Sequence, residues 1–172
     1  MWCGVMWLAV LLPGVGFPPE AEYTEHSLIG YRWYDYHAVT PAYCFGHGLS
    51  FTSFSYGNIS SSPTSTEGVG QTVECEVTNT GSMKGSEVVQ LYLTSPTATA
   101  TNGESQRQLK HFVKLSDMAV GESRRVAFEL SARDLSSWEE VAEDWRVNKG
   151  EYTAFVATSS CDFRQSITFE VV

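Results

Sequence analysis

The feature that most limits the fold is a succession of short period-two segments between residues 71 and 172. Gln71–Asn79 (QTVECEVTN) sets Val73, Cys75 and Val77 on one side and Thr72, Glu74, Glu76 and Thr78 on the other. Side chains alternate across an extended backbone, so this segment predicts a half-buried strand. Residues 87–94 (EVVQLYLT) are apolar on both faces apart from Gln90, as a central strand would be. Residues 108–115, 124–130, 145–147, 151–158 and 166–172 bring the count to seven strands. Turns fall at Asn79-Thr80-Gly81, Val120-Gly121-Glu122 and Lys149-Gly150, a helical turn with a capping Ser at 131–135, and a loop from 95 to 107. Seven short strands with regular turn signals and no long amphipathic helix predict an immunoglobulin-like β-sandwich.

Residues 1–55 are written differently. They carry Trp2, Trp7, Tyr23, Tyr31, Trp33, Tyr34, Tyr36 and Tyr43 with little regular periodicity. So short a stretch seldom buries enough apolar surface to stand alone. It either packs along the sandwich or belongs to a domain whose remainder is missing. A polar segment, SYGNISSSPTSTEGVG, follows it and reads as a linker or hairpin. Residues 1–17 look superficially like a secretion signal, but lack a basic start and a small-x-small cleavage site, and are too short to span a bilayer. A strand, or a helix end torn from a larger domain, is the preferred reading, and it implies a truncated gene start.

Charge narrows the partners. The chain has 20 acidic against 11 basic residues, for a net charge of -9, and no basic run longer than Arg124-Arg125. Neutralising phosphates requires a clustered basic face, so nucleic acid and anionic membrane are set aside as partners. His26, His37, His47 and His111 lack ligand spacing, and Cys3, Cys44, Cys75 and Cys161 form no Cys-x-x-Cys. No metal or cofactor is expected. For the cysteines two readings stay open, buried or free thiols, and a Cys75–Cys161 bridge inside a secreted sandwich. Asn58-Ile59-Ser60 is a glycosylation sequon, which matters if the chain is secreted.

Several strings occur in an order and spacing that resemble a known family. They are Tyr23-x-Glu25, Gly30-Tyr31-Arg32-Trp33-Tyr34-Asp35 and Phe45-Gly46-His47-Gly48-Leu49-Ser50-Phe51-Thr52. Downstream come Val77-Thr78-Asn79-Thr80-Gly81, Gly85-Ser86-Glu87-Val88-Val89-Gln90-Leu91-Tyr92, Leu109-Lys110-x-Phe112-x-Lys114-Leu115, Asp134-Leu135-Ser136-x-Trp138 and Gly150-Glu151-Tyr152. Together they resemble the C-terminal part of glycoside hydrolase family 3, the β-glucosidases and β-xylosidases, from about Pro13 to the end. His26 stands where the family has Gly, and Cys44 where it has Pro. The resemblance implies a fibronectin type III-like sandwich over 56–172, preceded over 1–55 by the incomplete tail of an α/β sandwich domain.

The family's retaining hydrolysis needs two carboxyls about 5–5.5 Å apart. The resemblance places the nucleophile on a barrel and the acid/base earlier in the second domain, so no residue here is expected to be catalytic. Ser116-Asp117-Met118 reads as a loop of the sandwich, and Glu139-Glu140 with Glu143-Asp144 as a solvated acidic loop. Glu25 and Asp35 are read as holding backbone or Arg32 in the second domain's last strand. Tyr31, Trp33 and Tyr34 are read as packing at a domain interface, though Trp33 and Tyr34 also have faces suited to a sugar ring. Phe45, Gly46 and Gly48 are read as the turn into the sandwich, where a positive φ or close backbone approach is needed, and His47 as structural. The expected partners are the parent's missing catalytic domains and carbohydrate. The reading of another class is a freestanding fibronectin type III-like binding or adhesion module. The compartment follows from whether the parent carries a signal peptide.

Overall fold

A computed structural model describes residue 24 and residues 27–64, 69–97 and 107–172. The expectations for residues 1–17, Cys3, Glu25 and His26, and most of the 95–107 loop, lie outside the described residues.

The elements among the described residues are a short helix α1 (Tyr31–Tyr36) and nine strands: β1 (Phe54–Pro63), β2 (Gln71–Asn79), β3 (Gly85–Thr94), β4 (Gln108–Met118), β5 (Ser123–Leu130), β6 (Ser136–Glu139), β7 (Asp144–Val147), β8 (Gly150–Ser159) and β9 (Asp162–Val171). One antiparallel sheet has the order β1-β2-β5 and the other β4-β3-β8-β9, while β6 and β7 form a separate hairpin. The alternation of β2 is realised as expected: Val73, Cys75 and Val77 are fully buried. They meet Val126, Phe128 and Leu130 of β5, and Val89, Leu91 and Leu93 of β3, in one core. At about 1.5–3 kcal/mol for each buried large apolar side chain, this interior is the main source of sandwich stability.

Four local expectations are corrected. Residues 54–63 form strand β1 in place of the expected linker or hairpin. A bulge between Gly57 and Ser60 shifts its phase, so Tyr56 and Ile59 turn inward three positions apart and the alternation is hidden. The hairpin strand β6, opposite β7, is an addition to the expected seven. Residues 31–36 are a single helical segment, not the last strand of a domain. Ser116, Asp117 and Met118 finish β4 instead of forming a loop, with Asp117 at φ 55 and Met118 buried in the core.

The 131–135 turn is present. Asp134 accepts hydrogen bonds from the Ser131 N–H (2.8 Å) and hydroxyl (2.6 Å), and Leu135 N–H reaches Ser131 O. Burial pushes the Asp134 carboxyl up, but the Ser131 donors and the nearby His111 outweigh it and leave it below the usual carboxylate range.

Candidate interdomain site

Strand β3 is buried on both faces, and that fact builds the site. Val89, Leu91 and Leu93 face the sandwich core, whereas Gln90 and Tyr92 point to the outer side of the four-stranded sheet and are buried as well. What covers them is the segment that precedes β1. The Tyr31 ring stacks on Phe45 (5.0 Å between centroids) and meets the edge of Tyr92 (5.9 Å). Tyr92 in turn packs edge-on against Phe163 of β9 (5.7 Å). The Tyr31 hydroxyl accepts a hydrogen bond from the Leu109 N–H of β4 at 2.8 Å. We call residues 27–53 the strap.

Three consecutive strap residues fasten it. Cys44 is disulfide-bonded to Cys161 in the β8–β9 turn. Phe45 O accepts from Ser160 N–H at 2.9 Å. Gly46 O accepts from Gln90 Nε2 at 3.1 Å, and the same amide donates to Thr158 O at 2.6 Å. Gln90 Oε1 accepts the Tyr92 hydroxyl at 2.8 Å, so this buried amide is satisfied from both ends. The bridge is therefore Cys44–Cys161, which corrects both the free-thiol reading of these two cysteines and the Cys75–Cys161 alternative. Cys75 is a free buried thiol, its Sγ directed at Gly57 O, and burial pushes its pKa up.

Gly46 has φ +77, and a Cβ there would fall 2.8 Å from Gln90 Cδ, so both reasons for glycine apply at this position. Gly48 meets neither condition: a Cβ there would touch nothing within 4 Å. Asp35 lies beside Arg107 (3.8 Å), not as an anchor for Arg32. Its carboxyl is pushed up by burial, with Arg107 pulling the other way. The Arg107 guanidinium also lies over the Phe163 ring at 4.6 Å. Arg32 stays beside its own neighbour, 6.0 Å from the Tyr31 ring centre.

The rest of the strap faces outward. Trp33 stacks on His37 (4.2 Å) and meets the edge of Tyr34 (5.5 Å), and Trp33, Tyr34 and Tyr36 are all exposed. Leu49 and Phe51 are 93% and 97% exposed, values that mark an apolar surface without a cover. The structure thus joins Tyr31, Asp35, Phe45 and Gly46 at the sheet and leaves Trp33 outside it. Asn58 lies apart from this group and sits exposed in β1. Sequence reasoning missed Gln90, Tyr92, Arg107 and Phe163 as the receiving half of the site. The one polar residue within an otherwise apolar strand was the signal for Gln90.

The strap and sheet hold no cluster suited to metal chemistry: among the described residues no three His, Cys, Asp or Glu converge as metal ligands. Among the same residues no helix is long and apolar enough to cross a membrane. The acidic residues Glu140, Glu143 and Asp144 are exposed on the β6–β7 hairpin, and Glu139 pairs with Arg146 across it. Residues 87–160 match the fibronectin type III-like domain family. The chain is 38% identical to probable beta-glucosidase D of Aspergillus niger, over 90% of this chain and 22% of that protein. It is 34% identical to beta-glucosidase BoGH3A of Bacteroides ovatus, over 92% and 21%. Among solved structures it is similar to a GH3 beta-glucosidase of Bifidobacterium adolescentis (TM-score 0.80, 32% identity, 92% of this chain and 23% of that one). It is also similar to DesR, a beta-glucosidase of Streptomyces venezuelae (TM-score 0.80, 35% identity, 90% and 20%). The chain spans about a fifth of the length of the relatives it matches.

Proposed function

The chain belongs to the C-terminal, fibronectin type III-like part of glycoside hydrolase family 3, and from that premise we propose that it is the non-catalytic, interdomain portion of a β-glucosidase-type hydrolase. The parent's reaction in this reading is removal of a terminal β-linked glucose or xylose. Residues 1–55 are the tail of the α/β domain and residues 56–172 the fibronectin type III-like domain. The missing catalytic domains are the chain's partners, and carbohydrate meets it through their substrate.

The observation that carries the reading is the two-sided strap. Its inner side is fixed to the sheet by Tyr31, Phe45, Gly46 and the Cys44–Cys161 bond, while its outer side presents Trp33, Tyr34, Tyr36, Leu49 and Phe51. An element rigidly attached below and apolar above is suited to carry another domain. Glu25 belongs to the same interdomain motif in this reading, as do Arg32, Asp35 and Gly48.

The test pairs two preparations. The purified chain should release no p-nitrophenol from p-nitrophenyl β-glucoside. The same chain, replacing the matching fifth of a β-glucosidase relative, should support hydrolysis. Turnover by the chain alone, or a folded chimera without activity, contradicts the proposal.

A further inference from the structure

We propose that Asn58 carries an N-linked glycan, acquired in an oxidising secretory compartment. Asn58-Ile59-Ser60 is the sole Asn-x-Ser/Thr string in the sequence with a non-proline centre. Its placement in the fold is what turns a string into a site. The ladder between β1 and β2 passes from the Gly57–Glu76 pair to the Ser60–Glu74 pair, so Asn58 and Ile59 together oppose Cys75. Such a bulge pushes one residue out of the strand. Ile59 takes the inward position against the core, and Asn58 and Ser60 are left exposed on either side of it.

Asn58 has φ 50, the left-handed region that asparagine tolerates better than most residues. Its carboxamide makes no hydrogen bond among the described residues, and the residue is exposed. Strand β1 is moreover one of the two edge strands of the β1-β2-β5 sheet. A sugar there would extend from an edge and would also shield that edge from pairing with another chain.

A second observation is independent of the sequon. Cys44 and Cys161 are joined by a disulfide, and structural disulfides form in secretory and extracellular compartments. Glycan transfer to asparagine belongs to the same route. The inference therefore does not rest on the hydrolase reading, and either can fail without the other.

The experiment uses the native protein, captured from the producing cells and their medium with an antibody against residues 56–172. Digestion with peptide N-glycosidase F in heavy-oxygen water should increase its mobility and convert Asn58 to a heavy-labelled Asp in the peptide map. In the same host Ser60→Ala should abolish both signals and Ser60→Thr should keep them, since neither substitution disturbs the left-handed Asn58. Unmodified Asn58 in molecules whose Cys44 and Cys161 are oxidised would overturn the proposal. Finding both cysteines as free thiols in the native protein would overturn it as well.

Discussion

Cys44 is bonded to Cys161 across 117 positions of sequence, and the bond lands one residue before the strap carbonyl that Ser160 N–H binds. The disulfide closes a long loop, so its removal should release considerable chain entropy in the unfolded state. Cys44→Ser with Cys161→Ser is expected to lower stability by about 2–5 kcal/mol in denaturant titration. A double variant that unfolds at the wild-type midpoint would show that the strap is held without it.

The glycines of the Phe-Gly-His-Gly string should separate cleanly. Gly46→Ala forces a Cβ at φ +77 toward Gln90, and should cost about 1–3 kcal/mol. Gly48→Ala enters open space and should fall within about 0.5 kcal/mol of wild type. Equal effects at the two positions would refute the assigned role of Gly46.

Tyr31→Phe tests the strap's polar contact apart from its ring. The phenyl keeps its stack on Phe45, but Leu109 N–H loses the hydroxyl it now meets at 2.8 Å. The expected loss is about 1–2 kcal/mol, and Tyr31→Ala should exceed it by removing the ring as well. Thermal melts of the two variants that coincide would argue against a distinct contribution from the ring.

Asp134 predicts a pH effect of definite sign. Its folded carboxyl lies below the ordinary range, so the unfolded chain binds that proton more readily. The stabilisation is present above the unfolded pKa of about 3.9 and fades as pH falls through the lower folded value. Asp134→Asn should thus be less stable than wild type near neutrality, and the gap should narrow below about pH 3. Stability curves that stay parallel down the acid limb would exclude this carboxylate as the source.

Cys75 is buried and its thiol is harder to ionise than usual, so iodoacetamide should label it only after unfolding. Rapid labelling of Cys75 in the native chain would place it outside the core.

The sandwich was legible because β2, β3 and β5 obey the two rules that sequence displays directly: alternation for a half-buried strand and an apolar run for a central one. Even the doubly apolar character of β3 was visible, although the cause, a strap lying over Gln90 and Tyr92, was not. β1 stayed hidden since one inserted residue at Asn58 breaks the period and its outward positions are Ser, Gly and Asn. The Cys44–Cys161 pair was beyond sequence reasoning for a different reason. Spacing says which cysteines lie near strands but not which loop folds back over which turn. Arg107 and Phe163 were missed likewise, since their contacts with Asp35 and Tyr92 are fixed only by the packed sheet.

The central claim is that this chain works as one part of a larger hydrolase, and the size of the native protein tests it most directly. An antibody against residues 56–172 should detect, in cell or medium fractions, a band several-fold larger than the 19.0 kDa of this chain. A native band at 19.0 kDa alone would contradict the account and leave a freestanding sandwich to be tested against sugars.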